Sequence, residues 1–157
     1  MTPIQILHGP VKDALAVFPP HMTSNEAHVL LLAIGLQESR FTTRRQIKGP
    51  ARGFWQFEKN GGVKGVLTHA SSKEHAEQIC DFCLVEPDVG LVYRSLETDD
   101  VLAAGFARLL LYTDPKPLPE VGDFRGAWDY YIRTWRPGEP HRHTWDQLYA
   151  QAMDVLV

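Results

Sequence analysis

Val29-Leu30-Leu31-Leu32-Ala33-Ile34-Gly35-Leu36 is an unbroken apolar run, preceded by Thr23-Ser24-Asn25-Glu26 and followed by Gln37-Glu38-Ser39-Arg40-Phe41. The Thr23-to-Glu26 spacing is that of a capping box, so a helix should open there and pass through Ala27, Leu31, Ile34 and Glu38. A helix that is apolar on every side belongs in an interior, which makes this segment the expected centre of the domain. It falls far short of the roughly 20 residues a membrane span requires. No membrane span is expected.

Outward from this segment, the rest of the chain reads as helices stopped by proline, glycine or a cap. Ile4, Leu7, Val11, Ala14, Leu15 and Phe18 recur at close to the helical period, and Pro19-Pro20 ends that element. Ser71-Ser72-Lys73-Glu74 offers a second capping box, opening a helix towards Leu84 that should end before Pro87. Asp99 or Asp100 caps a helix over 101–112, halted by Asp114-Pro115, and the link over 115–119 should be extended. Asp123 caps a helix over 124–135, ended by Pro137-Gly138. Thr144-Trp145-Asp146-Gln147 starts the last one, to about Leu156. No convincing strand alternation and no internal repeat or linker is visible. The expected class is all-α, or α with one small hairpin near residues 49 to 58, in one domain over residues 1–157.

Composition narrows the function. The 157 residues are 44% hydrophobic and 22% charged, an ordinary globular balance. A net charge of -3 and a pI near 6.1 leave no clustered basic excess, so nucleic acid is not an expected partner. The segment from Met1 to His8 lacks a basic start and a long apolar core, which reads as no signal peptide and synthesis in a cytoplasm. Of the two cysteines, Cys80 and Cys83 fall in a helical pattern with Ile79, Phe82 and Leu84, where cysteine acts as a small buried hydrophobe. Together with His75, His141 and His143 they contain zinc-ligand types. The loop setting of the last two histidines makes a solvated segment the preferred reading, with no metal and no cofactor.

Glu38 is the carboxylate singled out by position. It follows the apolar run and sits at the C-terminal end of its helix. An apolar setting and the negative end of the helix dipole both disfavour an ionised carboxylate. Both would raise its pKa towards the range a general acid needs near neutrality. The competing reading is a glutamate that simply ends its helix in water.

Ala33-Ile34-Gly35-Leu36-Gln37-Glu38-Ser39-Arg40-Phe41, followed by Gly49-Pro50-Ala51-Arg52-Gly53-Phe54-Trp55-Gln56-Phe57, resembles the lytic transglycosylases and goose-type lysozymes of the lysozyme superfamily. Their signature is a Glu-Ser pair closing a buried helix, followed by a glycine-led Gly-Leu-Met-Gln element. Eighteen positions separate Glu38 from Gln56, the usual spacing in the soluble lytic transglycosylases. The resemblance covers about residues 27 to 58. It is looser beyond: Leu102-Ala103-Ala104-Gly105-Phe106-Ala107 lacks the family's Tyr-Asn pair, and Trp128-Asp129-Tyr130-Tyr131-Ile132 stands where the family places a Tyr near the acid, Tyr131 matching best and Tyr130 nearly as well.

The resemblance implies a lysozyme-like helical domain with a substrate groove, acting on peptidoglycan glycan strands. It gives Glu38 the role of catalytic acid. Ser39, Trp55, Gln56 and Tyr131 become substrate-binding candidates, with one of Phe54, Trp55 and Phe57 expected to face the groove. A lytic transglycosylase needs one carboxylate, a hydrolytic muramidase two; Glu58 and Asp114 are the candidates for a second and read as solvated surface charges. A non-catalytic wall-binding or virion module of the same fold is a further alternative. With no export signal, the resemblance implies a bacteriophage or prophage origin, as an endolysin released through holin lesions or as a lytic part of the virion, working on the periplasmic cell wall.

Overall fold

The structure is a computed structural model that describes residues 1–156. Its helices are α1 (Pro3–Ile6), α2 (Lys12–Leu15), α3 (Asn25–Ser39), α4 (Lys64–Thr68), α5 (Lys73–Phe82), α6 (Val89–Ser95), α7 (Asp100–Tyr112), α8 (Phe124–Trp135) and α9 (Arg142–Asp154). Helix makes up 62% of the chain, so the class is all-α. The hairpin expected near 49 to 58 is reduced to isolated bridges, Arg45 with Arg52 and Arg52 with Phe57.

α3 is the interior helix its sequence demands. Val29 to Ile34 are each no more than 2% exposed, and Leu36 is buried at its end. It packs on α9, α7 and α1. A second interior helix, α7, is buried from Leu102 to Leu111 and contacts α2, α5, α8 and α3. Its apolar face is nearly continuous because helices surround it on several sides.

Local departures have local causes. The N-terminal element is α1 and α2 joined by a π-helical turn, Leu7–Val11, that contains Pro10. Proline has no N–H to offer the preceding turn, and a widened turn is one way a helix absorbs it. The cap of α3 is Ser24, whose hydroxyl accepts from the Ala27 N–H at 3.1 Å, one residue later than the capping-box reading places it. Ser72 stands at the N-cap of α5, but its hydroxyl donates to the Val66 carbonyl at 2.7 Å rather than capping the helix. α6, capped by Asp88 through the Leu91 N–H, and α4 are short, and the periodicity of their sequences does not announce them.

Candidate active site

α3 ends abruptly. Arg40 and Phe41 both take left-handed backbone angles, φ 56° and 54°, which turns the chain back under the helix. The turn drives the Phe41 ring against Gly35, where any Cβ would collide with it. Gly35 is therefore required by close approach, not by flexibility. Phe41 stands edge-on to Phe54 and Trp55, each with ring centroids 5.6 Å away.

The segment that carries Gln56 is a tight turn closed by a backbone pair. Arg52 and Phe57 each donate an N–H to the other's carbonyl at 2.9 Å. Gly53, at φ 78°, lies so close to the Leu96 carbonyl that a side chain would collide. Gln56, at φ 53°, donates through Nε2 to the Gly53 carbonyl at 2.8 Å. The Ser39 hydroxyl donates to the Phe54 carbonyl at 2.7 Å and accepts the Phe41 N–H at 3.1 Å. This ties the end of α3 to the turn.

Glu38 is partly buried on the last turn of α3. The Tyr131 hydroxyl from α8 donates to its Oε1 at 2.6 Å. Tyr131 is itself held rigid: its ring stacks on Trp145 at 5.3 Å and 4°, and lies 5.5 Å from Trp128 and 6.2 Å from Trp135. Burial pushes the Glu38 carboxyl from its ordinary 4.5 up to about 7, and the Tyr131 hydrogen bond recovers only part of that shift. Tyr131 is correspondingly raised, by burial first and by the neighbouring carboxylate. The pair is a neutral phenol bonded to a carboxyl that changes charge near neutral pH.

A cleft of about 550 Å³ is lined by Gln56, Phe57, Glu58, Asn60, Arg133 and Trp135 among others, with Glu38 and Tyr131 outside its lining. Trp135 joins the two: its ring neighbours Tyr131, and its indole N–H donates to the Trp55 carbonyl at 2.9 Å. Asp114 also lines the cleft and is bound by Arg133 at 2.6 Å. Burial works to raise Asp114, but the bonds from Arg133 and the Lys116 N–H outweigh it and hold the carboxyl below its ordinary value.

The sequence candidates therefore separate. Glu38 and Tyr131 meet, and Gln56 lines the cleft while bracing its own turn. Tyr130, the near-equal candidate, points elsewhere and bonds the Leu111 and Lys116 carbonyls. Ser39 is 7% exposed and its hydroxyl is committed to backbone groups, so it braces the end of α3 against the Gln56 turn. Trp55 is a correction: at 1% exposure, with its indole N–H donating to the Leu31 carbonyl at 2.8 Å, it is a core residue. Phe54 is equally buried, and Phe57, 3% exposed, is the one of the three that borders the cleft. Sequence reading passed over Trp135. Its position four residues after Tyr131 on one helix face was the available signal.

Among the described residues no three His, Cys, Asp or Glu side chains converge as a metal site. Burial raises the Cys80 and Cys83 thiols to about 11 and about 12, which keeps them protonated. None of the described helices is long and apolar enough to cross a membrane. No protein-family profile, curated protein sequence or solved structure matches the chain.

The raised Glu38 carboxyl has a cost in stability with a definite sign. The folded chain holds that proton to about pH 7, whereas an unfolded glutamate releases it near 4.5. Folded protein thus binds more protons between those values, and stability falls as pH rises through the window. Glu38→Gln lacks this loss. In denaturant titrations its stability relative to wild type is expected to grow by on the order of 3 kcal/mol between pH 4 and pH 8. A difference that stays flat with pH would mean the carboxyl is not disfavoured by its surroundings.

Proposed function

We propose that this protein cleaves the β-1,4 glycosidic bond between N-acetylmuramic acid and N-acetylglucosamine in bacterial peptidoglycan, with Glu38 as the proton-transferring group. One observation carries the reading: a carboxyl with a pKa of about 7 on the last turn of a buried helix, held at 2.6 Å by a rigid phenol whose ring neighbours Trp135 of an open cleft. A group that is half protonated near neutrality can deliver a proton to a leaving oxygen and take one back. The match of Glu38-Ser39 and Gly53-to-Gln56 to the lytic transglycosylase pattern gives that chemistry its substrate. A lysozyme-like groove is then the role of the cleft beside Gln56 and Trp135.

In the single-acid mechanism Glu38 protonates the bridging oxygen as its bond to C1 of N-acetylmuramic acid breaks. The positive charge that develops is steadied by the sugar's own N-acetyl carbonyl. The C6 hydroxyl then attacks C1, and the Glu38 carboxylate takes its proton, which closes a 1,6-anhydro ring and regenerates the acid. Tyr131 orients the carboxyl and, by donating to Oε1, leaves the other oxygen to carry the proton.

A hydrolytic muramidase is the second reading, and one observation favours it: Asp114, held ionised by Arg133, lines the same cleft. The products separate the two. Mass spectrometry of a peptidoglycan digest is expected to find new ends one water lighter than reducing sugars. Reducing ends alone would assign the hydrolytic reaction and make Asp114 and Glu58 the residues to substitute next. A phage or prophage protein, brought to the wall by holin lesions or a virion, fits this activity.

A further inference from the structure

Arg108 is a cation in the middle of the interior helix α7, 5% exposed. Its Nε–H donates to the Met22 carbonyl at 2.8 Å. Among the described residues no carboxylate lies within ion-pair distance of it, and no fully buried side-chain nitrogen or oxygen lacks a partner. The terminal Nη1 and Nη2 groups, which bond no acceptor among the described residues, therefore face the open side. That side is a cavity of about 650 Å³ against the 115–118 segment, lined also by His21, Tyr112 and Lys116.

The acidic neighbours do not neutralise the guanidinium. Asp114, on the same lining, is taken by Arg133, and Glu26 makes no pair with Arg108. The Tyr130 hydroxyl, also on the lining, is spent on two carbonyls. A desolvated guanidinium with no counter-charge is costly, and a planar fork pinned at Nε presents its two remaining arms in fixed geometry. That geometry suits a two-point hydrogen bond to one oxyanion.

We propose that this cavity binds a small oxyanion, a phosphate or carboxylate group, held by Nη1 and Nη2 of Arg108 with Lys116 at the rim. The site shares Asp114 and Pro115 with the cleft beside Gln56 but stands apart from Glu38. It does not depend on the reaction proposed for Glu38.

Thermal melts of the whole protein at pH 7 and constant ionic strength, with chloride replaced by inorganic phosphate or by acetate, test it. Phosphate or acetate is expected to give a saturable rise in Tm, and the more effective ion identifies the group. Arg108→Gln should raise the apparent Kd at least about tenfold and Lys116→Ala a few-fold, as for loss of a charge-assisted bond and of a rim charge. No saturable response beyond chloride, or an unchanged response in Arg108→Gln, overturns the proposal. If that variant does not fold, the Arg108 side-chain N–H resonances of the wild-type protein decide. They should shift with the same saturation, and an unmoved signal overturns the site.

Discussion

Glu38→Gln is expected to retain the helical fold and to lose peptidoglycan cleavage by at least about a hundredfold, the lower end of what a general acid contributes. The amide has the shape of the carboxyl and can still accept the Tyr131 hydrogen bond that reaches Oε1 at 2.6 Å. It cannot deliver a proton. Circular dichroism should match wild type while clearing of a peptidoglycan suspension fails. In the wild-type protein the rate should fall as pH rises through about 7, where the Glu38 carboxyl gives up the proton it must donate. Activity within a few-fold of wild type would remove Glu38 from the mechanism, and with it the main support for the proposed reaction. Folded, inactive wild-type protein would instead favour a binding module that keeps the same architecture.

Trp55→Ala is expected to cost about 3–5 kcal/mol of stability, the range for deleting a large aromatic from a packed interior. The indole is 1% exposed, stands edge-on to Phe41, and donates its N–H to the Leu31 carbonyl in the middle of α3. Truncation opens a cavity and removes the second hydrogen bond to a carbonyl that the α3 ladder already engages. For a chain of this size the loss corresponds to a fall in Tm of about 6–20 °C. A tryptophan stacked on a sugar would behave in the opposite way, with weaker substrate binding and a melting temperature near wild type. Tm and activity measured on the same preparation distinguish the two. A loss below about 1 kcal/mol would return Trp55 to the cleft. Trp135→Ala is the matched comparison, since Trp135 is partly buried and does line the cleft.

The sequence by itself determined what is encoded within a turn or two of helix. The all-α class follows from apolar periodicity and its stops, and the interior place of α3 follows from a run with no polar face. The same run ends at Glu38, so a carboxyl with a raised pKa was legible from its position at the end of an apolar helix. Asp99 and Asp123 declare their helices because a cap acts on a backbone three residues away.

Only the tertiary structure decided which side chains meet. Tyr130 and Tyr131 differ by one position, about 100° on a helix. The packing of α8 turned Tyr131 to Glu38, 93 residues away in sequence, and Tyr130 to the Leu111 carbonyl at the end of α7 and the Lys116 carbonyl in the link beyond. Composition cannot tell a sugar-stacking Trp from a core one. The left-handed turn at Arg40 and Phe41 settled it by folding the 52–57 segment under α3, where Trp55 found Leu31 and Ser39 found Phe54. Arg108 sits in a stretch of α7 that is buried from Leu102 to Leu111. Its guanidinium reaches a cavity because the Pro-rich link passes across α7, an outcome of chain path that no local pattern carries.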